Sequence, residues 1–225
     1  MICKVLARVR KLILGAISIN PFTFIYFNYL KRQVRRIKRK YIIPYWGTRI
    51  EFHKKAGILL QGNLVLNANK YPRSRAECYL RLREGATLNI TSNVSLNYNA
   101  TVEVHKGATL KLGTSTIQSG AVIICASKMT IGNGCLIGRM AYISDSDHHK
   151  VMDADGHVIN YPKEIIIGDN VWIAVRATVM KGSKIKNGAL IGADSMVMGR
   201  VNANALIMEE PSREFGYAYW THEGF

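Results

Sequence analysis

The residues best suited to chemistry stand together at 143–151, "ISDSDHHKV", where two aspartates lead into the one adjacent histidine pair of the chain. A neutral imidazole is the usual general base near pH 7. A carboxylate on its other nitrogen fixes the tautomer and stabilises the imidazolium that forms. Asp145 and Asp147 are close enough in sequence to supply that carboxylate. The cysteines promise less. Cys3, Cys78, Cys125 and Cys135 form no CxxC pair and no metal-ligand spacing. Cys125 and Cys135 sit in apolar segments and read as small buried hydrophobes, and a reducing compartment fits.

What positions the histidines is a six-residue beat. From Ile167 the chain divides without a gap into "IGDNVW", "IAVRAT", "VMKGSK", "IKNGAL", "IGADSM" and "VMGRVN". Upstream, "IGNGCL", "IGRMAY" and "ISDSDH" (131–148) follow the same rule, and "GATLNI" (85–90) and "GATLKL" (107–112) repeat it loosely. A short fixed period means a solenoid whose units bury their apolar side only against neighbours. A unit this short allows two or three extended residues and one tight turn, so three units close a triangular coil. The aliphatic residue opening each unit points inward, and the fifth residue, small in nearly every unit, fits a corner. Between Ile143 and Ile165 the beat is lost. The polar stretch 144–164 therefore reads as a loop ejected from one corner, and such loops commonly carry function.

The charge is uneven. Of a net +16, residues 1–40 carry eleven basic side chains and no acidic one, which leaves a mildly basic body of +5. Residues 12–30, "LILGAISINPFTFIYFNYL", are long enough to span a bilayer. Asn20-Pro21 in the middle, Asn28 near one end and basic flanks on both sides argue instead for interfacial helices. Val5, Val9, Leu12, Ile13 and Ala16 recur at helical spacing, as do Phe27, Leu30, Val34, Ile37 and Tyr41, with basic residues between them. Basic amphipathic helices of this kind lie in the headgroup layer of anionic membranes. A helical cap on the body, with a solvated charged face, is the competing reading. Nucleic acid is not expected as a partner, because phosphate contacts do not require apolar periodicity.

The repeat resembles that of the hexapeptide-repeat acyltransferases, most closely the maltose and galactoside acetyltransferases and the O-acetyltransferases of capsule and O-antigen synthesis. The resemblance covers roughly 130–213 and is most specific over "IGDNVWIAVRATVMKGSKIKNGALIGADSMV". It implies a left-handed parallel β-helix that assembles as a homotrimer. It further implies acetyl transfer from acetyl-CoA to a saccharide hydroxyl, with no metal. Carbonic anhydrases on this fold use three spaced histidines around zinc, and here only His157 stands near the pair. A histidine at the loop would act as base: the "DSDxH" form of the motif points to His149, and a count without gaps points to His148. Asp147 is the candidate orienting carboxylate. The coenzyme would lie against Trp172 and Ala174 of "NVWIA", Ala193 of "IGADS", and Arg213 of "EEPSR", held largely by backbone amides. Glu209 and Glu210 depart from the small residues usual there, and Ala174 stands where glycine is more frequent.

The expected organisation is a membrane-associating arm (1–45), a β-helix domain (46–210) with a catalytic loop (144–164), and a tail (211–225). The expected location is the cytoplasmic face of the membrane, acting on a precursor of a cell-surface glycan. Two other classes stay open: a non-enzymatic β-helix scaffold docked on membrane, and an N-acetyltransferase of a nucleotide-sugar amine.

Overall fold

The computed structural model describes residues 18–71 and 73–208, with the backbone of 213–217. Three sheets form the walls of a prism, and each successive strand passes to the next sheet. Sheet one has eight strands, from Val34–Arg36 to Arg200–Val201. Sheet two has nine, from Ile42–Pro44 to Arg213–Tyr217, and sheet three seven, from Thr48–Phe52 to Met196–Val197. Pairing is parallel throughout except in the last pair, where Ala205–Met208 meets Arg213–Tyr217 antiparallel. The architecture is a left-handed parallel β-helix, as the family resemblance implies.

The opening residue of each unit builds the core. In sheet one Leu60, Ile90, Leu112, Ile131, Ile167, Ile185 and Val201 stack in register. In sheet two Leu66, Leu96, Ile117, Ile137, Ile173, Ile191 and Ile207 do the same. All are buried. Fifth-position Val171, Ala177, Ser183, Ala189 and Ser195 are fully enclosed at the corners. The sixth unit differs from the count by sixes. Val201 is not its corner residue but an inward strand residue on Ile185, because the turn at Gly199 (φ +99°) shortens the last coil.

Corner amides lie outside the strand ladders and need other acceptors. Between sheets one and two they find them in Asn and Asp side chains one coil away. Asn133 Oδ1 accepts from Thr114 N (3.0 Å), Asp169 Oδ1 from Asn133 N (2.6 Å), and Asn187 Oδ1 from Asp169 N (2.9 Å). A Cβ at Gly132 would stand 2.5 Å from Asp169 Oδ1, so that position must stay glycine. This is the physical content of the "IGDN" and "IGNG" units.

The prism begins earlier than the domain boundary at 46. Val34–Arg36 and Ile42–Pro44 are strands of the first coil, so no helix runs from Phe27 to Tyr41. The apolar spacing there has a local explanation. Val34 pairs with Ile58 and is buried, while Ile37 is exposed, so one set of positions serves both interior and surface. The helical part is short: Pro21–Ile25, continued by a π turn over Tyr26–Leu30. Asn28 fixes it to the open edge of sheet two. Its amide nitrogen donates to Ile42 O (2.7 Å), and its oxygen accepts from Ile42 N (3.0 Å), as a neighbouring strand would. Phe27 seals the core beside Phe52. No helix of the described residues is long and apolar enough to cross a membrane. Residues 1–17, with the first apolar series, lie outside the described residues.

Candidate active site

The coil is broken at Asp145. Leu82, Val104 and Cys125 stack along sheet three, and Asp145 comes next in that inward line, one residue past the last registered pair. A carboxylate there cannot continue an apolar stack. It is fully buried and accepts from three corner amides: Ala126 N (2.6 Å), Ser127 N (2.9 Å) and Lys128 N (2.9 Å). Its carbonyl accepts from Lys163 N (2.9 Å), which closes the neck of the loop. Asp145 therefore ejects the loop and anchors its base, and its carboxylate is engaged away from both imidazoles. Beside it the Cys125 thiol is pushed well up, first by burial and then by the Asp145 charge. Burial likewise raises Cys78 to about 12 and Cys135 to about 11, so all three behave as core residues.

Asp147 holds the loop rather than a histidine ring. Its carboxylate accepts from the Lys181 ammonium and from Asn160 Nδ2 (2.9 Å), and these two in that order hold its pKa below the usual carboxylate range. Asn160 also donates to His149 O (2.7 Å) and accepts from Val151 N (2.7 Å). One amide side chain thus clips together both arms of the loop, whose far end is bridged at Met152 and Val158.

The two histidines are placed differently. His148 has a left-handed backbone (φ +65°), and its Nε2 lies 3.0 Å from Tyr142 Oη and 3.4 Å from Ser144 Oγ. Its ring stands 5.9 Å from that of His105. His149 is exposed, with its N–H on Asp147 O (2.7 Å) and its carbonyl held by Asn160. Among the described residues nothing bonds to its imidazole.

His105 was not among the sequence candidates, since it lies far from the pair in the chain. The repeat could have located it: it follows the strand Thr101–Val104, two coils before the loop on the same wall. It is half-buried, 3.8 Å from Glu103, and burial followed by the nearby Arg83 charge lowers its pKa below the ordinary imidazole range. Tyr142 and Lys181 were missed as well.

Trp172 lies on the outer side of sheet two in register with Leu136 and Leu190. Ala174 and Ala193 occupy the corner between sheets two and three. The Ala174 amide is spent on Ile191 O (2.8 Å), so this residue cannot offer the N–H expected of it. Ala193 is exposed. Arg213 begins the final antiparallel strand opposite Met208, while Glu209 to Ser212 lie outside the described residues. The loop leaves the other edge of sheet three. The base candidates and the coenzyme candidates of one chain are thus separated by the width of a wall. In the loop, Asp153, Asp155 and His157 lie near one another and are all exposed.

No protein-family model matches the chain. A stretch of 70 residues is 31% identical to the polysialic acid O-acetyltransferase of Neisseria meningitidis, covering 30% of this chain and 33% of that one. Another of 87 residues is 31% identical to the galactoside O-acetyltransferase of Escherichia coli, covering 38% and 42%. A further stretch of 100 residues is 30% identical to an Escherichia coli protein provisionally named an O-acetyl transferase of lipopolysaccharide biosynthesis, covering 40% and 51%. The chain thus spans about half or less of the length of the curated relatives it matches. Among solved structures, the polysialic acid O-acetyltransferase OatWY superposes with a TM-score of 0.62 at 19% identity, over 85% of this chain and 92% of that one. The polySia-specific acetyltransferase NeuO gives 0.52 at 21% identity, over 84% and 88%. These likenesses establish the fold.

Proposed function

We propose that this protein transfers an acetyl group from acetyl-CoA to a hydroxyl of a saccharide, with His149 as general base. One observation carries the reading. The regular prism is interrupted by a loop whose backbone is clamped on both sides of an imidazole that no group among the described residues engages. A base that must meet a substrate hydroxyl needs that combination of fixed backbone and open ring nitrogen. The relatives, named for O-acetyl transfer to polysialic acid and galactosides, support the choice of reaction and acceptor class.

In this mechanism His149 takes the hydroxyl proton as the oxygen adds to the thioester carbonyl. The imidazolium then returns the proton to the departing thiolate, so an ester and a free thiol leave and the histidine ends neutral. His148, tied to Tyr142, anchors the loop on sheet three. Asp147 positions it through Asn160 and Lys181. His105 with Glu103 offers the acceptor a polar wall. The coenzyme, which supplies the activated acetyl thioester when bound, would rest against the Trp172 ridge and the exposed Ala193 corner.

Because the Ala193 corner and His149 lie on opposite edges of sheet three, with Trp172 beyond that corner on sheet two, the reading requires a second copy whose Trp172 edge meets this loop. A closed ring of three satisfies every copy alike. The test is transfer from acetyl-CoA to a panel of neutral, acidic and amino sugars, with products weighed by mass spectrometry. An O-acetylated sugar is the expected product. Acetylation of amines alone would assign the protein to N-transfer, and transfer to no sugar by a protein that binds the coenzyme would overturn the proposal.

A further inference from the structure

The end of the prism that carries the first coil is built unlike the rest of the surface. Phe27 and Asn28 face inward, whereas Phe22 is 77% exposed, Tyr29 and Leu30 are each 66% exposed, and Ile25 and Tyr26 are also open. These five apolar side chains come from one ten-residue helical segment, Pro21–Leu30. Arg32, Arg35, Lys38 and Arg39 are exposed immediately after it, with Ile37 among them. No acidic residue occurs before Glu51. The acidic groups of the first turns are already occupied, Glu51 by Arg81 and Glu77 by Arg49. A folded protein gains nothing internally from exposing aromatic rings among cations that meet no acidic group of the described residues. A surface of anionic lipid satisfies both, taking the rings into the headgroup layer and the cations onto phosphates.

We infer that this end-cap docks on an anionic lipid surface and stands the prism upright on it, with the active loop held at a fixed height. Neighbouring strands are about 4.8 Å apart. On sheet three, four such steps separate Thr48–Phe52 from Tyr142–Ser144, so the loop stands roughly 20 Å above the cap. A headgroup layer is only about 6 Å deep. A sugar joined directly to its lipid therefore lies below the histidines. The acceptor must be a lipid-anchored saccharide whose reactive unit extends well clear of the headgroups, or a free one. This last step rests on the proposed acetyl transfer, while the docking itself does not. In a ring of three parallel prisms all three caps fall on one side, which multiplies weak contacts.

Three measurements on the full chain test this. Vesicles of phosphatidylglycerol and phosphatidylcholine should co-float the protein, and pure phosphatidylcholine should not. Arg32→Gln/Arg35→Gln/Lys38→Gln/Arg39→Gln should weaken binding roughly a hundredfold, and Phe22→Ser/Tyr29→Ser/Leu30→Ser at least tenfold, both with unchanged melting. Undiminished binding by both variants would move the contact elsewhere and overturn the inference, as would preference for duplex DNA over the vesicles. For orientation, a fluorophore on Tyr29→Cys in a Cys3→Ser background should be quenched by nitroxide lipids, and one on Asp155→Cys should not. Equal quenching would mean that the prism lies flat. For reach, a sugar acetylated in solution, displayed on lipid-anchored spacers of graded length, should be modified only beyond a threshold length. If docking holds but no sugar reacts in solution, it is the transferase reading that has failed. If soluble transfer works without docking, it is this inference.

Discussion

The two histidines make separable predictions because the structure gives their rings different tasks. His149→Ala removes an imidazole but none of the loop's hydrogen bonds, since His149 contributes only its N–H to Asp147 O and its carbonyl to Asn160. The loop should stay in place and the turnover rate should fall by roughly 10²–10⁴, the usual worth of a positioned base. At about 1.4 kcal/mol per factor of ten, this is about 3–5.5 kcal/mol of barrier. His148 instead anchors through Tyr142 Oη at 3.0 Å, with a weaker contact to Ser144 Oγ at 3.4 Å. Such a bond contributes about 0.5–1.5 kcal/mol net, so its loss should slow turnover roughly two- to tenfold. Alanine is a poor probe at φ +65°, and His148→Asn, which tolerates that backbone, is the better one. Tyr142→Phe cuts the same bond from the other end, so the double variant with His148→Asn should be no slower than the worse single. The assay is steady-state acetyl transfer, with calorimetry for acetyl-CoA, whose affinity should hardly change in any variant. If His148→Asn loses a hundredfold or more while His149→Ala turns over as wild type, the base is His148 and the reasoning from ring availability is wrong. Full activity in both would remove catalysis from the loop.

Asp145→Ala should destabilise the fold by about 2–4 kcal/mol, because three part-buried corner amides lose their acceptor, and urea denaturation would register it; a change under about 1 kcal/mol would contradict the anchoring role. The pKa of Asp147 is lowered in the folded state, so its contribution to loop order is present above its ordinary value of 3.8 and disappears only as acid titrates the group below that. Protection factors of residues 146–163, taken relative to the intrinsic exchange rate at each pH, should therefore be the same at pH 7 and pH 5 and fall only below pH 3.8, whereas Asp147→Asn should lower them at pH 7 and pH 5 alike. Asn28→Ala leaves the Ile42 N–H and C=O without partners, and should lower stability by about 2–4 kcal/mol in a thermal melt while leaving the far coils protected.

Regular coils were readable in the sequence because every coil solves the same packing problem with the same residue types. Ile167, Ile173 and Val179 had to point inward, and Ala177 and Ser183 had to be small, whatever stood next to them. Legibility failed where one residue does two things or where the partner lies a coil away. Val34 and Ile37 fit a helical stripe, yet Val34 is an inward strand residue on Ile58 and Ile37 an exposed one. A segment of three strand residues is too short for period to decide. At the loop, sequence proximity suggested that Asp145 and Asp147 would serve the histidines. The register decided otherwise: Asp145 falls on the inward line above Cys125 and is consumed by corner amides. Asp147 is taken by Lys181, one coil further along the same edge, a pairing that no local spacing encodes. In a solenoid the chemical neighbours of a residue lie about one coil away, not beside it, and His105 with His148 is the same lesson on a functional wall. Indexed by wall and coil rather than by distance along the chain, His105, Tyr142, His148 and Lys181 fall around one loop.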